Sequence, residues 1–321
     1  MSDFASAAMM RVLAQGLREQ GLDPGAAATA STGARVELDL KRALLQRVVA
    51  QRGLHVLPLL GRGLHRLTHE PTHQALAAAR SPRDLFERWL RLERYIHSRH
   101  RCVVEACREH EAHVRHVSLR GGAPPSAAED LVVAGVLAAL LEAIGLQRVR
   151  LHVGGVPALP EPDAAGLAQA ARRGRTAGWQ LAWDGSVPPP APGTPPPREL
   201  GADLAWPEPA RATYRHLVRD LTRPLPLREL AAEVGTPWRT LQRRLGEAGL
   251  SYSRLLAEAR CRSGAWRLLH TVDPIAEVGF LSGFADQAHF TRELQRRVGL
   301  PPAAYRAAFG ATSGAASGAG G

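Results

Sequence analysis

The chain has 321 residues, 41 of them basic and 30 acidic, for a net charge of +11 at pH 7. That length accommodates two domains with sizeable cores. Three cysteines, Cys102, Cys107 and Cys261, make no disulfide framework and fit a reducing compartment. Lys41 is the only lysine, so the arginine excess reflects coding bias and does not by itself indicate a nucleic-acid partner.

The opening MSDFASAAMM has no basic stretch followed by an apolar core, so it does not read as a signal peptide. The most apolar run, Leu131 to Leu141, is flanked by Asp130 and Glu142 and is far short of the roughly 20 residues a membrane span needs. The expectation is a cytoplasmic protein without a membrane partner.

Met9 to Gly21 reads as a short amphipathic helix ended by a Gly21–Pro24 turn. Asp39 to Arg52 is a second helix, with Leu40, Leu44 and Val48 on one face and Gly53 as its stop. Ser81–Pro82–Arg83–Asp84 has the chemistry of a helix start, with Ser as cap and Pro at the first helical position. Val103–Val104 and Val114 to Leu119 read as strands. Glu129 to Ile144 is a long apolar helix, either a buried core helix or a dimer seam. Val149 to Val153 alternates as a strand does, Gly154–Gly155 turns it, Asp163 to Arg173 is helical, and Trp179 to Trp183 is a strand closed by Asp184–Gly185. The sum is a mixed α/β domain over residues 1–186.

Residues 187–209 are rich in proline and predict an extended, semi-rigid connector. A polyproline ligand for a partner module is the alternative. Residues 210–309 form a helical domain, and 310–321 (GATSGAASGAGG beyond Phe309) a disordered tail. From Arg211 to Gly310 there are 16 Arg against 9 acidic residues, a net of +7. Residues 1–210 hold 25 basic against 21 acidic residues, a net of +4 over twice the length. The C-terminal third is therefore the electropositive part, as expected of a phosphate-facing surface.

Arg211 to Val218 begins that domain as a helix. Leu227 to Val234, Gly235, and Trp238 to Gly246 form a first helix-turn-helix, with Leu241 and Leu245 inward and Arg239 and Arg243 sharing the outer face. Tyr252 to Leu269 is a long joining helix with Leu255, Leu256, Ala259 and Leu268 on its buried side. In the second unit, Ile275, Val278 and Leu281 mark one helix and Gly283 supplies the turn. Phe290, Leu294 and Val298 mark the next helix, turning Ala288, Arg292 and Gln295 to the opposite face with Thr291 on the flank.

Ile275, Ala276, Gly283, Phe284, Phe290, Arg292, Gly299, Pro301, Tyr305 and Arg306 carry a close resemblance to the second helix-turn-helix of the AraC/XylS family of bacterial transcription regulators. Leu294 stands where that family has a second Phe. Ala285 stands where Ser usually caps the recognition helix, so that the cap has to come from Asp286 or be weaker. In the first unit Thr236–Pro237 sits one residue earlier than the family's Ser-Pro. Pro58 through Tyr95 resembles, more loosely, the effector-type domain of one branch. The resemblance implies an α+β N-terminal effector domain followed by an all-α C-terminal domain. In the latter, two helix-turn-helix units are joined by a long helix and enter successive major-groove turns about 34 Å apart.

Helical geometry and the resemblance together assign base reading to Arg239 and Arg243 in the first unit and to Gln287, Ala288, Thr291 and Arg292 in the second. Arg244, Arg296 and Arg297 are assigned to phosphate. His289, beside the core Phe290, is expected to pack or to bond to backbone.

His69–Glu70–Pro71–Thr72–His73 matches a zinc-protease motif in letters alone. Pro71 disrupts the one-turn helix that motif needs, unless the helix begins there and leaves His69 outside. His97, His100, His110, His113 and His116 lie near Cys102 and Cys107, but no ligand spacing is tight, and three-residue His spacing also suits a helix surface.

No phosphate-binding loop, dinucleotide motif or nucleophile elbow is present. The expected function is sequence-specific DNA-binding regulation of transcription, as activator or repressor, without catalysis, cofactor or metal. Expected partners are double-stranded DNA, a second copy of the chain, a small effector on the N-terminal domain and, for an activator, RNA polymerase. A metal- or redox-responsive sensor and a non-specific architectural DNA-binding protein are the alternatives.

Overall fold

The structure, a computed structural model, describes residues 4–25, 35–67, 70–96, 99–119, 122–186, 200, 201, 203–222 and 224–310. His69, His97, the proline-rich run 187–199 and the tail 311–321 lie outside them. The chain divides into two compact units. The first takes in residues 1–68 and 76–190, and the second residues 69–75 and 191–321.

In the first unit, β1 (Phe4–Ser6) pairs antiparallel with β2 (Arg35–Glu37). The Ser6 hydroxyl accepts from the Met9 N–H at 3.2 Å and so caps α1 (Ala7–Glu19). α2 (Leu38–Arg52) follows β2 and ends at Gly53, whose φ of 86° suits glycine. Two 3₁₀ segments, Leu54–Val56 and Pro58–Arg66, lead to α3 (Pro71–Ala77) and α4 (Pro82–Ile96). As its sequence suggested, α4 begins with the Ser81 hydroxyl accepting from the Asp84 N–H.

The remaining strands, β3 (His100–Cys107), β4 (Glu111–Ser118), β5 (Leu146–Val153), β6 (Val156–Leu159) and β7 (Gly178–Ser186), form one antiparallel sheet in the order β3-β4-β7-β5-β6. Gly154–Gly155 turns β5 into β6. β7 continues through Asp184–Gly185, which sequence reasoning takes as its closing turn, because Asp184 pairs with Gln147 across the sheet.

Two helices complete the unit: α5 (Ala127–Ala143) and α6 (Ala164–Arg172). α5 opens with a capping box, Ser126 and Glu129 bonding each other's backbone N–H groups. Every residue from Glu129 to Leu141 is buried. A helix apolar on all sides has to be enclosed, and here the chain itself encloses it, so the dimer-seam alternative falls away.

The enclosure depends on glycine. A Cβ on Gly135 would sit 2.2 Å from the Pro58 carbonyl oxygen, and one on Gly16 would sit 2.2 Å from that of Leu60. α5, the 58–66 segment and α1 therefore meet backbone to backbone, closer than any side chain permits.

The second unit is all helix among its described residues: α7 (Glu208–Leu217), α8 (Leu227–Glu233), α9 (Trp238–Glu247), α10 (Tyr252–His270), α11 (Ile275–Leu281), α12 (Gln287–Val298) and α13 (Pro302–Phe309). An α+β domain thus precedes an all-α domain whose two helix-turn-helix units share one long helix.

Two details depart from expectation. The residues just before α7, expected to be an extended connector, are packed: Leu200 is 2% exposed, and Trp206 sits edge-on to Tyr214 at 5.6 Å. The stretch after Gly299 forms a helix of its own, α13, opened by Pro301 and Pro302, with Tyr305 and Phe309 buried. The Tyr305 hydroxyl donates to the Pro71 carbonyl at 2.6 Å.

Gly135→Ala is expected to destabilise the first unit by roughly 1–3 kcal/mol, because its methyl meets backbone that cannot swing aside. Thermal and denaturant unfolding of the full chain would register it. Unchanged stability would mean the 58–66 segment is free to move away.

Candidate nucleic-acid interface

Each helix-turn-helix unit is built on a small apolar core. In the first, Leu230 and Ala231 of α8 pack with Leu241 and Leu245 of α9 and with Leu255 of α10. α9 starts at Trp238 after Pro237, with no side-chain cap. Trp238 is 40% exposed, and the Arg239 guanidinium lies over its ring, 5.4 Å from the centroid. Arg239, Arg243 and Arg244 are all exposed. Arg243 pairs with Glu247 one turn on.

The second unit is organised by Phe290, which is fully buried. Its ring lies against Gly264 of α10 and Gly279 of α11, where a Cβ would come within 2.7 Å and 3.2 Å, and stacks on Phe284 at 4.9 Å. Gly283 turns between the helices at φ 80°, and a Cβ there would meet the Leu221 carbonyl oxygen at 2.1 Å. Both requirements select glycine. α12 is capped by Asp286, whose carboxylate accepts from the His289 N–H at 2.6 Å. The missing Ser at position 285 is thereby replaced, and a negative charge at a helix N-terminus is favourable. At the other end Gly299 closes α12 in the left-handed conformation at φ 86°.

The helix-turn-helix domain family model matches residues 230–308, which span both units. That segment is an AraC-type helix-turn-helix domain. The chain is 34% identical over 82 residues to the ornithine utilization regulator of Pseudomonas aeruginosa. The match takes in 26% of this chain and spans 24% of the length of that curated relative.

Two solved structures are also similar. One is the C-terminal domain of AraT, a response regulator from Geobacillus stearothermophilus, at 23% identity and a TM-score of 0.31, covering 35% of this chain and 93% of that one. The other is the transcriptional regulator CdpR from Pseudomonas aeruginosa, at 18% identity and 0.29, covering 92% of this chain and 97% of that one.

Within that domain the residues assigned to bases lie on the solvent sides of α9 and α12. Gln287, Ala288, Arg292 and Gln295 are exposed, and Thr291 is half-buried on the flank. His289 packs edge-on to Phe284 at 5.2 Å, as a residue beside the core should.

Of the arginines assigned to phosphate, Arg244 and Arg296 are exposed, although Arg296 is bonded to Glu293. Arg297 departs from that assignment. Its side chain is 11% exposed and is held between Glu258 of α10 at 2.5 Å and Glu293 at 2.8 Å. Burial works against its charge, yet the Glu258 and Glu293 carboxylates raise the guanidinium's pKa above the ordinary arginine value. Arg297 ties the recognition helix to the joining helix.

Sequence reasoning did not find the rest of this network. Glu258 also accepts from Arg262 at 2.6 Å, and Arg262 donates to Asp203 at 2.6 Å, with both Arg262 and Asp203 at 2% exposure. The trace it leaves in the sequence is an arginine set between the small residues Cys261 and Ser263.

Elsewhere, α3 begins at Pro71, with Glu70 accepting from the N–H groups of Thr72 and His73, so the zinc-protease lettering belongs to a helix start. His113 and His116 stand on strand β4, and His110 lies in the turn before it, which overturns the helix-surface reading of their spacing. Burial pushes the Cys102 and Cys107 thiols up, away from the reactive thiolate form. Among the described residues, no helix is long and apolar enough to cross a membrane.

Arg262→Met should remove the buried cation that Asp203 and Glu258 share, although Arg297 still holds Glu258, and cost roughly 3–5 kcal/mol. Denaturant unfolding followed by tryptophan fluorescence would measure the loss. A change below 1 kcal/mol would show that the network is dispensable.

Proposed function

We propose that this protein regulates transcription by binding a specific DNA sequence through the two units of its AraC-type domain, under the control of a small effector that acts on the N-terminal unit. The observation that carries the reading is the pair of helix-turn-helix units on one joining helix, each presenting a cationic solvent face. Arg239 and Arg243 on α9 read bases in one major-groove segment. Gln287, Ala288, Thr291 and Arg292 on α12 read them in another. Arg can bridge guanine N7 and O6, and Gln can bridge adenine N6 and N7.

Arg244 and Arg296 contribute phosphate contacts, each adding about 0.9 to the salt slope without sequence preference. The effector changes how the DNA-binding domains of a homodimer are presented and so shifts a population; no chemistry is required. An activator of this kind would also contact RNA polymerase. The site of action is the cytoplasm.

Fluorescence anisotropy on the protein's own upstream DNA and on scrambled DNA, over a salt series, tests this. Wild type should prefer the upstream DNA. Arg239→Ala and Arg292→Ala should each erode that preference by roughly 1–3 kcal/mol. Equal affinity for both DNAs, with each substitution only reducing the salt slope by about 1, would support the architectural reading instead. Absence of binding at every salt concentration would sink the proposal.

A further inference from the structure

The N-terminal unit buries a cluster of ionisable side chains that DNA binding does not use. Lys41, in the first turn of α2, is completely buried, and it is the only lysine of a chain that otherwise uses arginine. Its ammonium nitrogen has no hydrogen-bond partner among the described residues. His100 of β3, at 1% exposure, is the second such group. Its Nε2 faces the Ala123 carbonyl oxygen at 3.3 Å, which places the proton on Nε2 and leaves Nδ1 a bare acceptor. The fields of Glu129 and Lys41 both reach His100, and that of Glu129 reaches Lys41.

The carboxylates around them are already engaged. Asp130 is bonded to His116 Nδ1 at 2.9 Å and accepts from the Thr176 hydroxyl at 2.6 Å. His116 itself lies edge-on to His100, 5.5 Å between ring centres. Glu129 accepts from the Ser126 N–H and hydroxyl at 2.9 Å each and from Arg42 at 3.4 Å. Glu93 accepts from the Cys102 N–H. The Lys41 ammonium and the His100 Nδ1 lone pair are left unmatched in this cluster.

An ammonium taken out of water without a partner is strongly unfavourable, and a methionine of similar length would fill the same space at less cost. The complement of these two groups is an anionic acceptor joined to a hydrogen-bond donor.

We propose that Lys41 and His100 form the polar end of a ligand site in the N-terminal unit, and that it takes a small 2-hydroxy or 2-amino carboxylate. The ligand's carboxylate accepts from the Lys41 ammonium, and its hydroxyl or ammonium donates to His100 Nδ1. This names the chemical class of the effector and rests on reading the N-terminal unit as the effector domain.

Calorimetry and thermal unfolding of the full chain with glycolate, lactate, glycine and acetate test the site. Glycolate and lactate report the hydroxy acids, glycine the amino acids, and acetate lacks the donor. At least one of the first three should bind saturably and raise Tm by about 3 °C or more at saturation. Acetate should bind at least tenfold more weakly.

Lys41→Met should raise the ligand-free Tm, since a buried charge is gone, and abolish the ligand-induced shift. Lys41→Gln, neutral but polar, carries the same comparison if the Met variant fails to fold. His100→Phe should erase the preference over acetate. No saturable binding by any of the four, or equal affinity in wild type and the Lys41 variants, would overturn the site and leave Lys41 a buried charge served by internal water. Repeating the DNA titration with bound ligand separates the two readings. Binding that depends on Lys41 but leaves DNA affinity unchanged overturns effector control while the site stands.

Discussion

Arg262 carries a full charge at 2% exposure in the middle of α10, and the helices around it are arranged so that this charge is compensated from two sides. Asp203 reaches it from the segment ahead of α7, and Glu258 from one turn earlier on α10. Glu258 in turn holds Arg297, Arg297 holds Glu293, and Glu293 holds Arg296 at the solvent edge of α12. Buried ion pairs seldom add much net stability, since desolvation offsets most of the attraction. Their consequence here is positional. Rolling α12 about its axis by one residue, about 100°, would pull Arg297 off Glu258 and break the ion pair that ties α12 to α10. The face carrying Ala288 and Arg292 is thereby fixed relative to α10.

The N-terminal unit reaches definition by the opposite route. Its central helix α5 is enclosed by apolar contacts and by backbone-to-backbone approach at Gly16, Gly61 and Gly135. Polarity gathers at its N-terminus instead, where Glu129 and Asp130 are both at 1% exposure. Burial works to raise the Glu129 carboxyl, but the Ser126 hydrogen bonds and the Lys41 charge hold it below the ordinary carboxylate range. A helix N-terminus favours such charge as well. One end of α5 thus collects the groups that packing excludes from the rest of the core.

This division accounts for what was legible from the amino-acid order. Leu241, Leu245, Phe290, Leu294 and Val298 recur at helical spacing because each recognition helix buries one stripe, and all five are buried. Asp286 as the replacement cap also followed from local chemistry. The ion-pair network was hidden, since Asp203 and Arg262 are 59 residues apart and only the fold brings them together. Arg297 looked like any surface arginine, because its partner Glu258 lies on a different helix. Strand β6 and the 3₁₀ segments are short, with no period long enough to count. The Lys41 cluster left one trace, a single lysine in an arginine-coded chain, whose meaning depends on burial.

Arg296 and Arg297 are neighbours that illustrate how the AraC-type domain separates affinity from shape. Arg296 shares Glu293 at the surface, where an ion pair contributes little and opens easily. Arg297 shares the same carboxylate but is enclosed, and releasing it would break the link to Glu258 on α10. The same contrast holds in the first unit, where the exposed Arg243–Glu247 pair can open without cost to the Leu241–Leu245 core. Under the proposed DNA-binding function, two recognition helices that keep their own geometry would make the second insertion an intramolecular event once the first has docked, so contacts that are individually modest would combine. Rigidity supplied from inside the domain leaves the solvent face free to vary in sequence without loss of fold.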